Sequence, residues 1–358
     1  MNKLSINIVL PFPVTKPVGG GKIMYEYANR LQQNGHRVSI FHSIKRPFKK
    51  SGTPLWFKQL IFTLRRVARP KWFDLNSEIK SVIVPAIINR YIPDADIVLS
   101  TWWQMTYAVS ELSSSKGKKF NLVQGYEIWA GHKEKVDASF SLPVNHLVIA
   151  LYLQKLISKI NGGVEPVYIP NAIDITKFFI EIEPASRNPF TIIMLYSEET
   201  HKDSATAIKV LTQVQKKNPA LQVQLFGVHP APKELPAFFR YKQKPDNLRT
   251  LYNQSAVFFS SSLTEGWALP PAEAMACGCA VVCTDIGGHH DYAIHEKSAL
   301  LVQPAQISDM VEKLSRLLTD NELRLQIAAA GNDLMNTTFN WNQSLKKMED
   351  CFYGSIKK

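Results

Sequence analysis

The sequence predicts two open α/β domains in series, each built around a parallel sheet. Short apolar runs alternate with stretches of helical periodicity along the chain, the pattern of repeated βαβ units. A length of 358 residues suits two cores better than one. A composition of 45% hydrophobic and 20% charged residues is that of a globular protein, and no apolar run approaches the ~20 residues of a membrane span.

Residues 6–10 read as the first strand, with Pro11 and Pro13 in its exit turn. No cleavage pattern of a targeting segment follows, so cytoplasmic residence is expected. Gly19, Gly20 and Gly21 read as a flexible loop, and residues 22–34 as a helix stopped by Gly35. Strands follow at 37–42, 97–100, 120–124 and 146–150. The stretch 167–178, with Pro170 inside it, reads as a junction, so domains of 1–167 and 168–340 are expected. In the second half the strands are 191–195, 223–226, 257–260 and 280–283. The helices between and after them are 204–217, 247–253, 270–277 and 308–318. Asn340 is placed to cap a last helix in which Trp341, Leu345, Met348 and Phe352 recur at helical spacing.

Charge divides the halves. Residues 1–170 hold 23 Lys/Arg against 10 Asp/Glu, and residues 171–358 hold 19 against 20, so the net +12 lies wholly in the first half. Four cysteines are too few for a disulfide scaffold. Cys277, Cys279 and Cys283 lie near His289 and His290, but the apolar Ala280-Val281-Val282 between them reads as a buried strand. Small buried thiols are expected rather than a zinc site.

The richest stretch is Ser260-Ser-Ser-Leu-Thr-Glu265-Gly266-Trp267-Ala268-Leu269-Pro270-Pro271-Ala-Glu273. A buried strand ends in hydroxyl residues, a loop carries Glu265, and a helix opens at Pro270 with Glu273 in its first turn. Unpaired N–H groups at such a start attract a diphosphate, and an ionised Glu273 suits a bidentate grip on ribose hydroxyls. Glu265 is placed to reach hydroxyls of a sugar. Taken alone, Glu273 would simply complement the helix dipole.

Glu265-x7-Glu273 within TEGWALPPAEAMACGCAVV resembles the donor-site signature of retaining family 4 glycosyltransferases of the GT-B fold. The resemblance continues through Asp285-Ile-Gly-Gly-His-His-Asp-Tyr292, Ala299–Pro304 and Ile169-Pro-Asn-Ala-Ile-Asp174 with Phe178. It implies two Rossmann-like domains facing a cleft, the first for the acceptor and the second for the nucleotide sugar. Residues 341–358 would form a helix returning to the first domain. It also implies Lys202 and Glu265 as catalytic residues, with Glu273, Gly266, Trp267, Ala268 and Leu269 in the donor site. Gly20 and Gly21 lie on the first-domain glycine loop, where backbone approaches the phosphates.

The family's arginine before the lysine is absent, with Tyr196 or Ser197 in its place, and the glycine after it is Asp203. His201 is the nearest further cation. Where the family often carries a histidine facing the reacting sugar, Gly125 stands here. Tyr126, Glu127 and His132 are then the acceptor-side candidates, in a loop that includes Trp129 and Gly131. Asp94-x-Asp96 has a metal-binding spacing but reads as a turn entering a strand. No metal and no other cofactor is expected, and the glycine triplet lacks the dinucleotide spacing.

The expected reaction is retaining sugar transfer from a nucleotide-diphosphate sugar to a glycan or lipid-linked acceptor, in polysaccharide or glycolipid synthesis. The rival readings are a phosphorylase or epimerase of the same fold, and a non-catalytic basic binding protein. The neutral second half and the Glu265–Glu273 loop argue against nucleic acid. Between residues 45 and 71 stand nine basic residues and no acidic one. Trp56, Phe57, Leu60, Ile61, Leu64 and Val67 recur there at helical spacing, so the segment is expected to dock on an anionic membrane surface. The alternative is a core-packed helix with a solvated basic face.

Overall fold

The computed structural model describes residues 3–49, 52–128 and 132–357. Lys50 of the basic run, and Trp129 and Gly131 of the acceptor-side loop, lie outside the described residues. The chain forms two units, one of Met1–Pro170 with Ser344–Lys358, the other of Asn171–Gln343.

The first unit runs β1 (Ser5–Leu10), α1 (Gly19–Gln33), β2 (Arg37–Ser43), α2 (Leu55–Leu64), β3 (Lys80–Val84), β4 (Ile97–Thr101) and α3 (Trp103–Ser110). It continues with β5 (Lys118–Val123), α4 (Lys133–Ser139), β6 (Asn145–Val148), α5 (Leu151–Ile160) and β7 (Val167–Tyr168). Its strands pair in parallel in the order β3-β2-β1-β4-β5-β6-β7. The order reverses between β1 and β4, the position where doubly wound sheets bind ligands.

The second unit runs β8 (Thr191–Leu195), α6 (Ser204–Lys217), β9 (Gln222–Gly227), β10 (Phe239–Gln243), α7 (Leu248–Asn253) and β11 (Val257–Ser260). Then come α8 (Leu269–Ala276), β12 (Ala280–Thr284), β13 (Leu300–Val302), α9 (Ile307–Thr319) and α10 (Asn321–Thr337). The sheet is parallel in the order β10-β9-β8-β11-β12-β13, with its switch point between β8 and β11. Helices cover both faces, so central strands such as Val257-Phe-Phe are buried throughout.

The last helix, α11 (Trp341–Ile356), starts in the second unit, and from Ser344 onward it belongs to the first. Asn340 caps it by accepting the Gln343 N–H at 3.2 Å. Ser344 Oγ donates to the Pro170 carbonyl at 2.7 Å, and Phe352 is fully buried with its ring 4.9 Å from that of Phe120.

Several expectations are corrected. Gly19, Gly20 and Gly21 are the first turn of α1, not a flexible loop; a helix start leaves its N–H groups unpaired and tolerates glycine. The short, half-exposed edge strand β3 and the polar edge strand β10 (Phe-Arg-Tyr-Lys-Gln) escaped the apolar pattern because edges bury little. Helix α10 escaped it because small residues, among them Gly331, provide its packing face against Met275.

The Asp94 carboxylate accepts from Lys116 and Ser115, and Asp96 from the Ser5 N–H and hydroxyl, which is the turn at the foot of β4. Cys277, Cys279 and Cys283 are buried, and burial pushes the Cys279 thiol up to about 12, so it stays protonated and donates to the Tyr252 carbonyl at 3.2 Å. Among the described residues no helix is long and apolar enough to cross a membrane.

Candidate functional site

Strands β8 and β11 are neighbours, so the loops leaving their carboxyl ends meet. Several hydrogen bonds knit those loops together. Leu263 N–H donates to the His201 carbonyl at 2.7 Å, and Ser261 Oγ donates to the carbonyls of Lys202 and Asp203 at 3.1 and 3.0 Å. The Thr200–Lys202 segment is a single 3-10 turn that ends on Asp203 at φ 48°, a left-handed conformation suited to glycine. Asp203 therefore holds the backbone that the family's glycine would hold, at some cost in strain.

At the centre, Lys202 Nζ donates to Glu265 Oε1 at 2.6 Å, and Ser262 Oγ donates to the same oxygen at 2.8 Å. The two charged side chains are only 17% and 11% exposed. Burial alone would raise the Glu265 carboxyl. The Lys202 ammonium, with smaller help from Ser262, outweighs it and holds the group below the ordinary carboxylate range.

His289 is fully buried, with Nδ1 2.8 Å from the Thr284 carbonyl, so that nitrogen carries the proton. Burial also lowers its pKa, leaving the imidazole neutral, and its Nε2 has no hydrogen-bond partner among the described residues. Gly288 admits the loop because a Cβ there would lie 2.5 Å from the Glu265 carbonyl oxygen. Lys202, Ser260, Ser262, Glu265, Pro270 and Pro271 line a small pocket.

The helix after this loop differs from expectation. Helix α8 begins at Leu269, so Pro270 and Pro271 are its second and third residues and Glu273 falls in the second turn. Two first-turn positions thus carry no N–H, and the pull on an anion rests on the dipole and the N–H groups of Leu269 and Ala272. Glu273 is 5% exposed and accepts from the Tyr252 hydroxyl at 3.3 Å. Burial, reinforced by Glu273, raises that phenol far above its usual range, so it remains a donor. Gly266 leads into Trp267, which packs on Tyr292 and Phe339 with ring centroids 4.8 and 5.7 Å apart. Ala268 N–H donates to the Gly288 carbonyl and its own carbonyl accepts from Tyr292.

In the first unit the glycine turn lies against Gln124, whose Nε2 donates to the Gly20 carbonyl at 3.1 Å and to Thr101 Oγ1 at 3.0 Å. A Cβ on Gly21 would lie 2.8 Å from a Val14 methyl. Of the acceptor-side candidates, Tyr126 donates to Asp137 at 2.7 Å, and His132 precedes α4 with its ring 6.0 Å from that of Trp103. Glu127 is buried and accepts the Trp103 N–H at 2.9 Å, closing the start of α3. With Trp102, Trp103 and Asn121 it lines a small pocket.

Trp102 stands at φ 78°, a strained conformation for so large a residue. Sequence reasoning passed over Trp102, and gave Ser262 and His289 no role of their own beyond the hydroxyl residues that end the strand and the Asp285–Tyr292 run. The Gly287-Gly288-His289 run was the available signal for His289. Among the described residues no three His, Cys, Asp or Glu side chains are grouped to hold a metal.

Residues 176–333 match the family model of glycosyl transferases group 1. The solved structures most similar in shape include Anabaena Alr3699/HepE in complex with UDP, with a TM-score of 0.76, 13% identity, and coverage of 98% of this chain and 100% of that one. Sucrose-phosphate synthase from Thermosynechococcus elongatus gives 0.73 and 13%, with coverage of 99% and 100%. The fold is the Rossmann-like GT-B fold.

Among curated proteins, sulfoquinovosyl transferase SQD2 of Arabidopsis thaliana is 28% identical over 159 residues, 42% of this chain and 31% of that protein. D-inositol 3-phosphate glycosyltransferase of Salinispora tropica is 30% identical over 114 residues, 32% and 23% respectively. The chain thus spans less than half the length of either. The group 1 match contains Lys202, Glu265, Glu273 and His289, and ends before α11.

Burial raises the Glu127 carboxyl to about 7 from 4.5, offset only in part by the Trp103 N–H. The contribution of Glu127 to stability is therefore complete below about pH 4.5 and is lost as pH rises through about 7. Glu127→Gln, neutral at every pH, should flatten this dependence and be the more stable protein at pH 8, by on the order of 2–3 kcal/mol. Urea unfolding of both proteins between pH 5 and 8 measures the difference; parallel curves would show that Glu127 titrates normally.

Proposed function

We propose that the protein is a retaining, metal-independent glycosyltransferase that moves a sugar from a nucleotide-diphosphate sugar to a glycan or lipid-linked acceptor, in polysaccharide or glycolipid synthesis. The Lys202–Glu265 pair, one loop away from buried Glu273 at the switch point of the second sheet, carries this reading. The group 1 match over the same residues supports it, as do the glycosyl-transfer names of the relatives.

Glu273 accepts from the donor's ribose hydroxyls, with Tyr252 steadying the carboxylate. Glu265 accepts from hydroxyls of the sugar. Lys202 has three ammonium donors, and beyond the one given to Glu265 the others serve the diphosphate. In the reaction the bond from the anomeric carbon to the diphosphate oxygen breaks and one to the acceptor oxygen forms on the same face. The acceptor proton passes to a phosphate oxygen, and the nucleoside diphosphate leaves. Charge grows on that leaving group, so a fixed cation there acts on the transition state. Tyr126, Glu127 and His132 belong to the acceptor side, Glu127 by fixing the start of α3.

Glu273→Ala should weaken binding of the free nucleoside diphosphate by about 1–3 kcal/mol in calorimetry, and an unchanged affinity would remove the ribose assignment. Lys202→Gln, which retains a hydrogen-bond donor for Glu265, should lower kcat about 100-fold with folding intact by circular dichroism. Normal turnover in that variant would exclude Lys202 from catalysis. Transfer should persist in excess EDTA; its loss, with rescue by Mn²⁺ or Mg²⁺, would overturn metal independence.

A further inference from the structure

We propose that the face formed by α2 and the groove beside it seats on an anionic lipid bilayer. Seven of the ten residues of α2 (Leu-Trp-Phe-Lys-Gln-Leu-Ile-Phe-Thr-Leu) are large and apolar, yet none is buried. Trp56, Leu60 and Leu64, spaced four apart, share one side, and that side faces outward, with Trp56 69% and Leu64 74% exposed. A helix of a globular domain normally turns such a stripe into its own core. The alternative of a core-packed helix does not describe this face. The helix also ends earlier than its periodicity suggested, because Arg66 turns left-handed at φ 51° and Val67 N–H closes back on the Phe62 carbonyl.

Beside this helix, Phe48, Leu55, Ile87, Ile88 and Tyr107 line a wide, open groove. Phe48 and Ile88 are each nearly half exposed, so apolar surface continues from the helix into the groove. Its margin is cationic. Lys45, Arg46 and Lys49 stand on the groove, Lys135 lies 4.6 Å over the Phe48 ring, and Arg65 and Arg66 are exposed at the end of the helix. Glu111 is the carboxylate on the groove wall. Arg69 is spent elsewhere, donating to the carbonyls of Leu75, Asn76 and Ile79.

Charge complementarity selects the occupant. A second copy would bring the same cations against themselves. An anionic leaflet offers acyl chains for the stripe and phosphates for the rim, while long basic side chains keep their heads at that level. The inference stands apart from the catalytic reading, and agrees with a lipid-linked acceptor.

Co-sedimentation of the full chain with vesicles, without donor or acceptor, tests it. Vesicles of phosphatidylcholine with phosphatidylglycerol should pellet the protein, vesicles of phosphatidylcholine alone should not, and salt should release it. The triple change Trp56→Ser, Leu60→Ser, Leu64→Ser should weaken binding ~10-fold or more. So should Lys45→Gln with Lys49→Gln, Arg65→Gln and Arg66→Gln. These side chains are surface groups, and circular dichroism checks that the fold survives. No pelleting at low salt, or undiminished pelleting of the triple variant, overturns the proposal. A concentration-dependent dimer in sedimentation equilibrium that the triple variant abolishes also overturns it, by making a second copy the occupant. Calorimetry with a nucleoside diphosphate and no lipid reads the second domain's site separately, so the two proposals fail independently.

Discussion

The largely buried pair of Lys202 and Glu265 is the contact around which the second domain's loops are organised. Removing two charges from water costs more than a single contact normally returns, so such pairs last only where further groups satisfy them. Ser262 supplies a hydrogen bond to the carboxylate, and His289 a neighbouring imidazole. The pair ties together two loops that leave adjacent strands. Asp203 takes a left-handed turn at the end of the Lys202 loop, and Gly288, on the loop after β12, leaves room for the Glu265 backbone. Lys202 is thereby restrained, with one of its three ammonium donors given to Glu265.

The first domain is organised by different physics. Its sheet reverses order between β1 and β4, and the chain leaving β4 is strained at Trp102. The next N–H, that of Trp103, is taken by Glu127, a carboxyl so buried that it is partly protonated at neutral pH. The outer face is the reverse of this interior, with an apolar stripe turned to solvent inside a cationic margin. The excess positive charge lies in the first half of the chain, and the second half is close to neutral.

Much of the fold was legible along the chain. Central strands β8, β11 and β12 are nearly continuous apolar runs because helices bury both their faces, and that burial imposes a composition visible in one dimension. Asn340 was legible as a cap because its side chain answers to backbone three residues on. Edge strands β3 and β10 were not, since an edge is half solvated and needs no apolar signature. The glycine triplet misled because flexibility and a helix start call for the same residue. Helix α8 was displaced by one residue, enough to move Glu273 out of the first turn.

By itself the sequence determined the alternation of strands and helices, the division of charge, and the Glu265-x7-Glu273 spacing, which lies inside the stretch that matches the group 1 glycosyl transferases. Those are local properties, written in neighbours and periodicities. Only the tertiary structure decided that Lys202 meets Glu265 across 63 positions, that Glu127 closes a helix starting 24 residues earlier, and that the α2 stripe faces outward. The reason is that strand order sets which loops converge. A periodic apolar pattern reports that a helix has a greasy side, but only the packing of the whole domain settles whether that side is covered.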